Sequence, residues 1–145
     1  MSKVEDFLSP EDEQEIVEAI RIAENNTSGE IRVHLEKTTS IDPFDRAMEV
    51  FHFLNMDKTK LSNGVLIYLA IEDKTFVIYG DKGINDIVGA EFWDSTKDIM
   101  VAHFKNGNFK QGLIDGIIKA GERLKKHFPS LEDDVNELPD NISKG

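Results

Sequence analysis

Val65-Leu66-Ile67-Tyr68-Leu69-Ala70 is a continuous run of apolar and aromatic residues, with no charged side chain on either face. A half-buried strand alternates apolar with polar residues, whereas a strand covered on both faces is apolar throughout. The run has the length of a strand and is far too short to span a bilayer. We therefore expect residues 65–70 to form a central strand with helices on both faces of its sheet.

The segments that flank this run predict its two neighbours. Downstream, Glu72-Asp73-Lys74 is a turn, and Thr75-Phe76-Val77-Ile78-Tyr79 returns as the antiparallel partner of a hairpin. Upstream, residues 30–38 alternate, which predicts a strand with one apolar face. Its apolar side chains are Ile31, Val33 and Leu35, and the opposite face carries Glu30, Arg32, His34 and Glu36.

Helices are predicted between and after the strands. Ser9 and Pro10 open one helix, Asp42 and Pro43 open a second, and two more cover about 91–105 and 108–127. The second helix crosses from the strand at residue 30 to the strand at residue 65, so these strands are predicted to be parallel. The fold class is α/β: a three-layer α/β/α, Rossmann-like sandwich with a mixed sheet. Its domain covers residues 9–129, after an N-terminal arm (1–8) and before a flexible acidic tail (130–145).

Composition narrows the classes of function. The chain has 145 residues, no cysteine and a net charge of −11. The absence of cysteine excludes cysteine nucleophiles, disulfides and zinc–thiolate sites. The electrostatic field of a strongly negative protein repels nucleic acid and attracts cations. The first residues do not form a signal peptide. We expect a soluble cytoplasmic protein without membrane insertion.

The predicted topology brings three loops to one edge of the sheet. The starts of the two parallel strands and the end of the hairpin strand meet there, carrying Glu30, Asn63 and Asp81. Asp86 and Glu91 follow within ten residues of Asp81. Carboxylate, amide and backbone oxygens are the ligands that Ca²⁺ and Mg²⁺ require, so these five residues are the predicted metal ligands. The alternative is that Asp81 caps a turn or helix and Glu30 is a surface charge.

Common catalytic motifs do not occur in the chain. The segment after Asp81 lacks the EF-hand spacing, and Gly80-x-x-Gly83 is neither a dinucleotide fingerprint nor a phosphate-binding loop. No nucleophile is evident, so any phosphatase activity would have to be metal-assisted. Of the four histidines, His34 alone shares a predicted strand face with carboxylates, as a candidate ligand or general acid.

Several segments resemble the TPM domain family in order and spacing. They are Ser28-Gly29-Glu30-Ile31-Arg32-Val33-His34, residues 63–70, Gly80-Asp81-Lys82-Gly83-Ile84, the pair Phe92-Trp93, and residues 121–129. The family includes a thylakoid acid phosphatase, a photosystem II repair protein and a worm levamisole-receptor modulator. Many members carry a membrane anchor or signal peptide. This chain resembles a short, soluble, bacterial-like subgroup.

The resemblance implies a mixed-sheet sandwich, divalent-cation binding as in some members, and acid phosphatase activity as in plant members. Many members carry an aspartate seven residues after the glycine that matches Gly83, where this chain has Ala90 followed by Glu91. Three functions remain open. The chain is a binding or regulatory module that holds Ca²⁺ or Mg²⁺ and contacts a protein partner, a metal-dependent acid phosphatase, or an interaction domain without an ion.

Overall fold

A computed structural model describes residues 7–89, 91–130 and 140–145 of the chain. The elements are α1 (Pro10–Asn25), β1 (Glu30–Glu36), α2 (Pro43–Phe53), a 3-10 turn (Met56–Lys58), β2 (Gly64–Ala70), β3 (Thr75–Gly80), α3 (Lys82–Asn85), α4 (Asp94–Lys105), α5 (Phe109–Lys125) and β4 (Ser143–Lys144). The predicted order of helix, strand, helix, hairpin and two long helices is confirmed. The short helix α3 and the strand β4 were not predicted.

The four strands form one mixed sheet in the order β3-β2-β1-β4. β1 and β2 are parallel, with Glu30 opposite Gly64, whereas β2 and β3 form the antiparallel hairpin. The apolar run of β2 is buried along its whole length and lies between β1 and β3. The prediction of a central strand covered on both faces is therefore confirmed.

Helices cover the sheet on both sides and divide its core in two. The larger core joins one face of the sheet to α1, α4 and α5, through residues such as Ile31, Ile67 and Ile117. The smaller core joins the other face to α2, where Leu66 and Tyr68 meet Phe51. This is the three-layer arrangement predicted from the two-sided apolarity of β2.

The helix starts follow the predicted caps. Ser9 Oγ accepts a hydrogen bond from the Asp12 backbone N–H at 3.1 Å, and Pro10 occupies the first helical position. Asp42 Oδ1 accepts from the Phe44 N–H at 2.9 Å in the same way. Local hydrogen bonding therefore determines where α1 and α2 begin.

The C-terminal end differs from its prediction. Residues 140–145 are docked, because Ile142 enters the larger core with 8% exposure and β4 pairs in parallel with β1. A flexible tail was predicted over 130–145, whereas its last six residues pack against β1 and the larger core. Residues 131–139 lie outside the described residues, as do 1–6 of the predicted arm and Ala90.

The alternation of β1 predicted one apolar face, but the opposite, polar face is buried as well. Its side chains Glu30, Arg32, His34 and Glu36 are 5–8% exposed. The surface-charge alternative for Glu30 is therefore wrong.

Candidate functional site

The three loops predicted to converge do meet at one edge of the sheet. The Glu30 N–H donates to the Asn63 carbonyl at 3.3 Å, and the Asp81 N–H donates to the Gly64 carbonyl at 2.9 Å. Backbone hydrogen bonds therefore join the starts of β1 and β2 and the end of β3. We call this region the Asp81 edge: residues 28–30, 61–64 and 80–86.

Asp81 caps α3 with one carboxylate oxygen and leaves the other unused. Its Oδ1 accepts from the Lys82 N–H at 2.7 Å, as the capping alternative predicts. Its Oδ2 is buried and has no hydrogen-bond partner in the described part of the chain. Burial raises the pKa of the Tyr79 phenol, and the negative charge of Asp81 raises it further. Asp81 is thus half-buried as a residue, but one of its two carboxylate oxygens is buried without a partner among the described residues.

Backbone oxygens lie close to the same short helix. A Cβ atom added at Gly83 would come within 2.4 Å of both the Leu61 and Ser62 carbonyl oxygens. Only glycine permits this approach of the 61–64 loop to α3. Two peptide oxygens are therefore held against the helix that Asp81 caps.

The other predicted ligands do not form a carboxylate cluster with Asp81. Glu30 and Asn63 are buried at 5% and 2% exposure, and Asn63 Nδ2 donates to Ser28 Oγ at 3.4 Å. Asp86 closes α3 and is exposed, as is Glu91. Within residues 7–89, 91–130 and 140–145, no three His, Asp or Glu side chains are placed to share an ion. The Asp81 edge therefore holds the carboxylates of Asp81 and Glu30 beside backbone and amide oxygens.

A second polar cluster lies at the opposite end of β1 and was not predicted. Arg46 of α2 donates to both carboxylate oxygens of Glu36, each at 2.9 Å, and the Tyr68 hydroxyl also donates to Glu36. Burial opposes ionisation of Glu36, but these hydrogen bonds outweigh it and hold the pKa of the carboxyl below its usual value. We call Glu36, Arg46, Tyr68 and His34 the Glu36 cluster.

His34 connects the Glu36 cluster to β4. Its Nδ1 lies 2.8 Å from Ser143 Oγ, and its Nε2 lies 3.5 Å from Glu36 Oε1. The order hydroxyl, imidazole, carboxylate is that of nucleophilic catalysis, but Glu36 is already engaged by Arg46 and Tyr68. Burial lowers the pKa of the His34 imidazole and so favours its neutral form. The arrangement fastens β4 to β1.

A pair of carboxyl groups secures the same C-terminal segment beside α1. Glu24 Oε2 accepts from the Ile31 N–H at 3.0 Å, and Arg21 lies 3.8 Å from Asp140. Burial, followed by a hydrogen bond with the Asp140 carboxyl, raises the pKa of Glu24 to about 9. Glu24 is therefore protonated near neutral pH, which allows two acids to lie together.

The alternation of β1 shows in the sequence which side chains share its polar face. It does not show that this face is buried, because the partners that cover it come from distant parts of the chain. Arg46 is ten residues from Glu36 in sequence, Tyr68 is thirty-two away and Ser143 is 109 from His34. Of these, only His34 was selected from the sequence. Trp93 is buried at 7% exposure.

Comparison with known proteins places the chain in a family. The sequence model of the TPM domain matches residues 1–123. The chain belongs to the TPM domain family. No match is found among proteins with curated descriptions. None of the helices in the described part of this TPM domain is long and apolar enough to cross a bilayer.

Solved structures show the same architecture. The NMR structure of BA42 from the psychrophilic bacterium Bizionia argentinensis is 68% identical to this TPM domain, covers 100% of both chains and superposes with a TM-score of 0.94. The N-terminal domain of a P. gingivalis protein is 19% identical over 84% of this chain and 79% of that one, with a TM-score of 0.70. The N-terminal domain of Corynebacterium glutamicum cg2496 is 14% identical over 88% and 80%, with a TM-score of 0.63. The latter two share the fold alone.

Proposed function

We propose that this TPM domain is a binding module that holds a divalent cation, Ca²⁺ in preference to Mg²⁺, at the Asp81 edge. The observation that carries the proposal is the Asp81 Oδ2 atom, which is buried without a hydrogen-bond partner in the described residues. A buried carboxylate oxygen loses hydration and needs compensation. A cation would supply that compensation.

The surrounding groups fit a hard cation. The Leu61 and Ser62 carbonyls are packed against Gly83 of α3, and Asn63 lies in the adjoining loop. Oxygen donors of this type suit Ca²⁺, which accepts six to eight ligands in flexible geometry, whereas Mg²⁺ demands a near-octahedral set. Because Asp81 would be the main charged ligand, water would complete the coordination shell of the ion. We therefore expect the affinity for Ca²⁺ to lie at the weak end of the range for protein sites. The net charge of −11 increases the local cation concentration.

The test is a two-dimensional NMR titration with CaCl₂, then MgCl₂, then a chelator. Saturable amide shifts should centre on residues 29–31, 62–65 and 80–91. Binding only to the folded state should raise the free energy of unfolding by about 2.7 kcal/mol at a hundredfold excess over Kd. Shifts spread over the acidic helix surfaces would mean that the ion only screens net charge, and would refute the site.

Substitutions identify the ligands. Asp81→Asn removes the charge at nearly constant shape and should abolish the localised shifts, whereas Asp98→Asn, an exposed acid on α4, is the matched control. Asp86→Asn and Glu91→Gln, made separately, should have small effects because both residues are exposed. Retained binding in Asp81→Asn would contradict the proposal.

A hydrolysis assay separates a binding module from an enzyme. We expect little or no hydrolysis of a generic phosphomonoester with or without Ca²⁺ or Mg²⁺, because no activated nucleophile lies at the Asp81 edge among the described residues. Metal-dependent turnover that is lost in both chelator and Asp81→Asn would establish the phosphatase alternative instead.

A further inference from the structure

A small apolar cavity lies at the end of β2 and β3 opposite the Asp81 edge. Its volume is about 240 Å³, and it lies between the β2–β3 hairpin and the ends of α4 and α5. Its walls are Leu69, Phe76, Val101, Phe104 and Phe109, and Lys74 and Lys105 complete the lining. No carboxylate is among these described lining residues, in a chain with a net charge of −11.

The aromatic walls are held in position by packing. The Phe76 and Phe104 rings meet edge to face at 5.3 Å, and the Phe104 and Phe109 rings lie 5.4 Å apart. Phe104 lies so close to α5 that a Cβ at Gly112 would come within 2.5 Å of its ring. The cavity is therefore formed by fixed side chains before any ligand arrives, which lowers the cost of binding.

The two lysines supply free positive charge at the cavity. Lys58, Lys110, Lys119 and Lys144 have carboxylate partners, whereas neither Lys74 nor Lys105 forms an ion pair within the described part of the chain. Both residues are exposed, so their alkyl stems line the apolar wall while their ammonium groups reach water. An anionic group at the mouth would meet two unpaired cations.

The backbone at Lys74 adds an independent indication. Lys74 has φ of +53°, in the left-handed region that favours glycine or asparagine. A lysine there costs free energy relative to glycine, and such costs concentrate at functional positions. The hairpin thus places a lysine at a backbone conformation that favours glycine.

We propose that this cavity binds a small amphipathic anion: a carboxylate attached to one short acyl chain or a single aromatic ring. The apolar walls take the hydrocarbon body, and Lys74 and Lys105 take the carboxylate. The volume lies below the range of about 300–1,000 Å³ typical of pockets for drug-sized ligands, so the body must be small. The site is separate from the Asp81 edge and does not depend on cation binding there.

The experiment is an NMR titration of the whole chain with three probes of equal chain length: sodium octanoate, 1-octanol and octylammonium chloride. Octanoate should give saturable shifts confined to residues 69, 74–76 and 101–109. Octanol should bind there at least about fivefold more weakly, as expected from the loss of two exposed charge contacts. Octylammonium should produce no localised shifts. Equal binding of octanoate and octanol, or shifts scattered over the surface, would overturn the proposal.

Four variants make the test specific. Lys74→Gln with Lys105→Gln should weaken octanoate by about fivefold and leave octanol unchanged, whereas Lys97→Gln, an exposed lysine of α4 outside the cavity, should change neither. Val101→Trp, at a position with 37% exposure, should fill the cavity and remove both ligands without loss of folding. Asp81→Asn should leave octanoate binding intact. Octanoate binding that survives Val101→Trp would refute the assignment.

Discussion

The two ends of β1 lie beside carboxylates whose oxygens are satisfied very differently, those of Glu36 and of Asp81. At the carboxyl end, the Glu36 carboxylate receives two hydrogen bonds from Arg46 and one from Tyr68. At the amino end, Asp81 uses one oxygen to cap α3 and leaves the other buried without a partner in the described residues. The same sheet thus carries a closed network, in which the hydrogen bonds of the carboxylate are complete, and an open one, in which a carboxylate oxygen lacks a partner.

Under the proposal above, this difference separates a structural carboxylate, that of Glu36, from a cation-binding one, that of Asp81. A buried charge whose hydrogen bonds are complete contributes to stability when intact, and its removal leaves partners unpaired. A buried charge with an unused oxygen contributes less to stability and is free to bind a ligand. Substitutions at the two ends of β1 should therefore affect stability and binding in opposite proportions.

The largest loss of stability is expected from Glu36→Ala. Removal of the carboxylate takes the acceptor from the Tyr68 hydroxyl and from two of the Arg46 donors. This loss should lower the free energy of unfolding by about 2–4 kcal/mol in urea denaturation at pH 7. The pKa of Glu36 is held below 4.5, so the stability that it contributes is present above that pH and is lost as the pH falls further. The difference between variant and wild type should shrink accordingly.

Glu49→Ala is the matched control for this substitution. Glu49 also pairs with Arg46, at 3.2 Å, but its side chain is 57% exposed. Its loss should change stability by less than about 1 kcal/mol. Equal effects of the two substitutions would show that the Glu36 cluster is not the closed network described above.

The next largest effect concerns the docked C-terminal segment that closes the Glu36 cluster. Ile142→Ala should lower stability by about 1–3 kcal/mol, because Ile142 is buried in the larger core. Hydrogen exchange should also accelerate at the Gly145 N–H, which donates to the Leu35 carbonyl at 2.8 Å. Ile87→Ala, at 55% exposure, is the control and should change stability by less than about 0.5 kcal/mol. Unchanged stability in Ile142→Ala would mean that residues 140–145 are not docked in solution.

A smaller, pH-dependent effect is expected at Glu24. Because burial raises the pKa of Glu24 to about 9 in the fold, its protonated form stabilises the protein at low pH, and this contribution declines as the pH rises from 4.5 towards 9. Glu24→Gln mimics the protonated form and should raise stability at pH 8, with no gain at pH 4. Unfolding measured across this pH range tests the sign. Glu18→Gln, at a side chain with 60% exposure, should leave the pH dependence unchanged.

The smallest effect on stability is expected at the Asp81 edge. In the presence of a chelator, Asp81→Asn should change the free energy of unfolding by less than about 0.5 kcal/mol, because asparagine caps helices as well as aspartate does. The loss of a partnerless buried charge should offset any weakening of the cap. A fall of more than about 1 kcal/mol without cation would identify Asp81 as a structural residue, and the contrast between the two ends of β1 would disappear.

The sequence by itself determined the layers, the strand directions and the meeting of the loops. Apolar periodicity is a property of neighbouring residues, so the buried run in β2 and the alternation in β1 could be read locally. The crossover through α2 and the tight turn after β2 then set parallel and antiparallel pairing, which brought Glu30, Asn63 and Asp81 to one edge. Asp81 was identified on this basis, together with its capping alternative.

Only the tertiary structure decided which polar groups are satisfied. Whether Glu36 is a surface charge or a closed buried network depends on Arg46 and Tyr68, and whether the C-terminal segment docks depends on Ile142 and on Ser143 beside His34. Burial and pairing of a charge are set by side chains that arrive from distant parts of the chain. Local sequence patterns do not show which distant side chains meet in the fold. The sequence therefore could not distinguish the closed end of β1 from the open one.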